Sequence, residues 1–157
     1  MVRDRRTVAA HPAHVRLESP AMTRFFDIDA ANEALTEVGP LLATLSDQRA
    51  ELIRLRDRAL AAHSAASGGG AAQDDPEETQ RIRLRMQGII DQMAAAVARI
   101  DALGITLRDI ESGLIDFPAL ATGRQVWLCW RLGEDDVAFW HELDTGFGSR
   151  RPLIELA

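Results

Sequence analysis

Asp116, Glu134, His141, Glu142 and Asp144 bring one imidazole and four carboxylates into a short stretch near the C-terminal end of the chain. Imidazole nitrogen and carboxylate oxygen are the donors that hydrolytic metal sites use around a divalent ion. This makes a metal-dependent, hydrolytic enzyme one reading of the chain, with those five residues as ligand candidates and a divalent metal as its cofactor. Strand geometry limits it. Neighbours along a strand point to opposite faces, so His141 and Glu142 cannot share a pocket without a bulge. The bland alternative is a partly buried histidine bonded to backbone, with carboxylates solvated in turns.

Cys129 is the single cysteine. It would serve as a nucleophile only if a base and a positive environment lowered its pKa. In the simplest strand pairing His141 faces away from it, so Cys129 reads as a small buried hydrophobe. "TGR" at Thr122–Arg124 and "GFGSRRP" at Gly146–Pro152 have the composition of anion-binding loops, although short Gly/Arg segments are commonly plain loops. Met86 and Met93 fall on a helical seam and read as core; His63 reads as a solvated helix end.

Two helices must carry this region. Asp27 is a good N-cap for a helix through Leu35, Leu42, Leu45, Leu52 and Leu55, ending near Ala62. Gly39-Pro40 predicts a kink or short break. "HSAASGGGAAQDD", residues 63–75, reads as a flexible linker. Asp75, Pro76 and Glu78 restart a helix. Its seam, Ile82, Met86, Ile89, Met93, Ala96, Ile100 and Leu103, is regular, and Gly104 ends it. The result is an antiparallel helical hairpin over 22–104.

Beyond Gly104 the period becomes that of strands. Residues 105–157 predict a small antiparallel sheet, with extended pieces around a turn at Glu111–Gly113 and a hairpin turning at Gly133–Asp136. The simplest register sets Leu132 against Val137, Trp130 against Phe139, and Cys129 against Trp140. Val126, Leu128 and Trp130 then face the core. Trp127, Cys129, Arg131 and Trp140 form an outer apolar face, which predicts a cover by a second subunit, another segment or a ligand, with a homodimer as the expected form.

The remaining bounds are coarse. The chain has 157 residues, 46% hydrophobic and 27% charged, with 18 basic and 24 acidic side chains and a net charge of -6. That balance argues against nucleic acid as a partner. The apolar runs fall short of the ~20 residues of a membrane span, and nothing resembles a secretory signal. A lone cysteine fits a reducing compartment. The expectation is a cytoplasmic protein without a membrane or nucleic-acid partner, one domain over 22–157. Residues 1–21 read as a disordered leader or a mis-assigned start, whose deletion should leave the fold intact.

"RFFDIDAANEALTEVGPLL" and "GLIDFPALATGRQVWLCWRLGEDDVAFWHELDTGFGSRRPL" resemble the two signature regions of the bacterial DUF2203 family of unknown function, over Thr23 to Leu153 apart from the linker. The resemblance implies no activity, because none is established for the family. The sequence therefore predicts an α+β fold, a long antiparallel helical hairpin followed by a small antiparallel β-sheet. Its leading functional reading is a structural or interaction protein, with the metal-dependent hydrolytic enzyme as the rival.

Overall fold

The computed structural model describes residues 23–67 and 75–156. The expected leader, and most of the expected linker, lie outside the described residues. Two helices, α1 (Ile28–Ser67) and α2 (Pro76–Ala102), precede five strands: β1 (Thr106–Asp109), β2 (Leu114–Ala121), β3 (Arg124–Arg131), β4 (Phe139–His141) and β5 (Arg151–Pro152). The strands lie in sequence order in one antiparallel sheet. The fold is α+β, a helical hairpin and a small sheet.

The helix ends follow local chemistry. Asp27 Oδ1 accepts from the Ala30 N–H at 2.7 Å, and Asp75 Oδ1 accepts from the Glu77 N–H at 3.0 Å. These side chains satisfy donors that the first turn leaves free. Asp27→Ala should therefore cost about 1 kcal/mol of stability, read from urea unfolding. At the far end of α2, Gly104 takes φ +79°, which is open to glycine at little cost. The Gly104 N–H donates to Asp101 and the Ile105 N–H to Ile100, closing the helix as a Schellman turn that hands the chain to β1.

Two helical expectations need correction. Of the kink or short break expected at Gly39-Pro40, the break does not occur: α1 runs through Pro40. Val38, Leu42 and Leu45 are fully buried on either side of it, and their packing holds the turn in place against the proline's cost of about 3 kcal/mol. α1 also ends at Ser67 rather than near Ala62, since the alanines and serines of this stretch still favour helix over glycine.

The hairpin register is the third correction, and the consequential one. β3 and β4 pair Trp127 with His141, Leu128 with Trp140 and Cys129 with Phe139. This is one residue away from the expected register, and a slip of one exchanges the faces of all side chains on β4. The cause lies after Arg131, where the strand stops. The Glu134 N–H donates to the Arg131 carbonyl, and the Glu134 carboxylate accepts from the Arg131 N–H at 2.9 Å. The Trp130 indole donates to the Glu134 carbonyl at 3.0 Å, and the Val137 N–H donates to Asn32 on α1 at 2.8 Å. Side-chain bonds thus replace ladder bonds, and the connection is wider than a tight turn.

Trp140 consequently lies in the core beside Leu128, 1% exposed, instead of on the outer face. The core joins Phe26, Val38, Leu42, Leu45 and Ile100 of the helical side to Ile115, Phe117, Leu128 and Trp140 of the sheet. Phe26 meets Phe117 edge to face, with ring centroids 5.1 Å apart. The opposite face of the sheet carries Asp116, Cys129 and His141.

Candidate metal centre

Alternation along β2 and β3 sets Asp116 directly against Cys129, and β4 brings His141 in on the same face, two pairs further along, opposite Trp127. Asp116, Cys129 and His141 each offer one ligand atom, and these atoms all lie within 4.8 Å of one another. The three side chains are only 2%, 0% and 3% exposed.

One hydrogen bond fixes the role of the histidine's Nδ1. Its Nδ1 lies 2.8 Å from the backbone carbonyl of Glu142. A carbonyl only accepts, so Nδ1 carries a hydrogen. In the neutral ring Nε2 is then a bare lone pair, and it lies 3.2 Å from Asp116 Oδ2. Two acceptors cannot face each other in a buried site without a shared proton or a cation between them. Arg108 Nε donates to the same Oδ2 at 2.6 Å, and Asp116 Oδ1 is buried with no hydrogen-bond partner.

Cys129 is not poised for nucleophilic attack. Burial pushes its thiol up to about 12, and the adjacent Asp116 carboxylate adds to the rise by its charge and by accepting from the thiol. Arg150, whose Nη1 approaches Sγ at 4.0 Å, opposes this only in part. A neutral, buried thiol is a poor nucleophile. In metal-free protein at pH 8, a water-soluble disulfide reagent should leave Cys129 unmodified until denaturant is added; full labelling of folded protein within minutes would contradict this geometry.

The surroundings hold the three side chains firmly. Arg108 stacks on Trp127, with its guanidinium carbon 4.8 Å from the ring centroid. Arg150 lies 4.2 Å from the Phe139 ring centroid and 4.1 Å from that of Phe147, and it pairs with Glu134 at 2.8 Å.

A model of the family described as "Uncharacterized conserved protein (DUF2203)" matches residues 24–153. The chain belongs to that family. No curated protein and no solved structure matches it. The family match spans both signature regions and all of the centre just described.

Of the five metal-ligand candidates read from the sequence, this DUF2203 chain brings Asp116 and His141 together. Glu134 is engaged with Arg150 and with the Arg131 N–H. Glu142 contributes its carbonyl to His141 while its carboxylate pairs with Arg124. Asp144 is exposed beyond the end of β4. Of the four interface candidates, Cys129 is buried in the centre, Trp140 is in the core, Trp127 is half-buried under Arg108, and Arg131 is exposed over Phe147. Within "TGR", Thr122 and Gly123 form the two-residue turn between β2 and β3, with φ +48° and +79°, and Arg124 opens β3.

Sequence reasoning sets Cys129 apart from His141, and it misses Arg108 and Arg150. The available signal is alternation alone. Asp116, Cys129 and His141 share a face only in the correct register.

Proposed function

We propose that this DUF2203 protein binds a divalent transition metal of the zinc type through His141 Nε2, Cys129 Sγ and the Asp116 carboxylate. The observation that carries the reading is His141 Nε2, turned toward a buried carboxylate and a buried thiol by the Nδ1–H bond to the Glu142 carbonyl. That is how a protein presents a metal-ligating histidine. The other two side chains have partners of the same kind, Arg108 on Asp116 and Arg150 on Cys129.

The spacing supports it. Tetrahedral zinc sets its donors roughly 3.3–3.7 Å apart, so the 3.2 Å nitrogen–oxygen pair is already close to that value. The widest pair, at most 4.8 Å, would close by roughly an ångström. A bound metal would also lower the thiol pKa that burial raises, since a coordinating thiol is deprotonated. The interaction reading draws on an outer face carrying both Cys129 and Trp140, and both are buried within the chain.

Elemental analysis of untagged protein tests the proposal, expected to give zinc near one per chain and none in His141→Ala. Cobalt(II) loading should give a thiolate-to-cobalt charge-transfer band that Cys129→Ser loses. Protein that remains metal-free after dialysis against zinc, manganese and iron would overturn it.

A further inference from the structure

Among the described residues the centre offers three protein ligands. Three ligands leave a divalent metal with an open position. We infer that this position takes the carboxylate or phosphate group of a small molecule whose body lies in the cleft along Trp127. The inference rests on the metal reading.

Charge selects the class of ligand. A divalent ion with one thiolate and one carboxylate is neutral, whereas Arg108 and Arg150 stand directly against those two ligands. Glu134 offsets Arg150, holding its Nη1 through both carboxylate oxygens at 2.8 and 3.2 Å. Arg108 is different. It commits Nε to Asp116, and its terminal nitrogens have no partner among the described residues. Its side chain is 40% exposed against 2% for Asp116, so it is both the cover of the centre and a donor facing outward. A guanidinium with both terminal nitrogens unused is suited to the paired oxygens of a carboxylate or phosphate.

The same face of the sheet offers room for the body of such a ligand, next to Trp127, on which Arg108 stacks. A cleft of about 440 Å³ is lined by Arg24, Asp101, Gly104, Thr106, Pro118 and Trp127. That volume suits a small organic ligand. Two of its walls are cross-strand neighbours of the proposed metal ligands, since Thr106 pairs with Asp116 and Trp127 with His141. Arg24 has no ion pair among the described residues and stacks over Phe26 at 4.4 Å. Asp101 and the carbonyl end of α2 repel anions, which limits the ligand to one anionic end.

The test uses the full chain loaded with cobalt(II), titrated with acetate and, separately, with inorganic phosphate. A saturable shift of the cobalt spectrum with either anion is the expected result, and the two titrations show which group is preferred. Arg108→Gln and Arg24→Gln should each weaken that response about tenfold or more, the size of a lost charge-assisted hydrogen bond. Cobalt content and melting temperature, measured on the same samples, show that each variant is loaded and folded. Arg24 touches none of the metal ligands, so its variant stands if Arg108→Gln fails to fold. A charge-transfer band that neither anion moves overturns this inference and leaves the metal reading standing. Absence of cobalt binding removes both, and the elemental analysis identifies that case.

Discussion

Gly113→Ala should lower stability by about 2–4 kcal/mol, a fall in melting temperature of roughly 5–15 °C for a chain of this size. Gly113 closes the turn between β1 and β2 with φ +63°, a conformation that costs a side-chain-bearing residue energy. A β-carbon built there would also lie 2.6 Å from Leu132 Cβ, closer than two carbons can approach. Leu132 cannot retreat freely, because its N–H donates to the Gly113 carbonyl at 3.1 Å and its side chain packs against the core. The two costs therefore add. Gly123 is the control. It has a similar φ of +79°, but a β-carbon there would meet nothing within 4 Å, so Gly123→Ala should cost only the backbone part. Equal losses in the two variants, measured by thermal and urea unfolding, would refute the steric argument.

The helices and the class of the sheet are legible in the sequence because their signals are local. A cap is read within three residues, and the seam from Ile82 to Ile100 repeats often enough to be unambiguous. Pro40 suggests a break because its local cost is visible in the sequence while the burial of Val38 and Leu42 that keeps the helix continuous is not. The hairpin register goes astray for a related reason. Nothing near Gly133 announces that Asn32, far away on α1, takes the Val137 N–H, or that Glu134 folds back on Arg131. Those contacts widen the connection by one residue, and one residue decides whether Trp140 or His141 faces the core. The site is accordingly half legible. Asp116 and His141 follow from residue type alone. The addition of Cys129, and the loss of Glu134, Glu142 and Asp144 to arginine and solvent, depend on the register.

The largest expected effect of ligand is zinc's. A metal that binds the folded chain and not the unfolded one adds stability of RT ln(1 + [metal]/Kd), about 2.7 kcal/mol at free metal one hundred times Kd. Unfolding separates β2, β3 and β4, and with them Asp116, Cys129 and His141, so the unfolded chain keeps no preformed site. His141→Ala and Asp116→Ala should each abolish the increment. Their metal-free stabilities should diverge from it in an informative way. Removing His141 leaves the Glu142 carbonyl without its donor, a loss of about 1–3 kcal/mol in a buried setting. Removing Asp116 relieves the unpartnered Oδ1 but strips Arg108 of its pair. If His141 and Asp116 are only a structural ion pair, zinc will shift the unfolding of the parent chain and of both variants equally or not at all. If they hold a metal, the parent alone gains, and the gain grows with zinc concentration along the logarithm above.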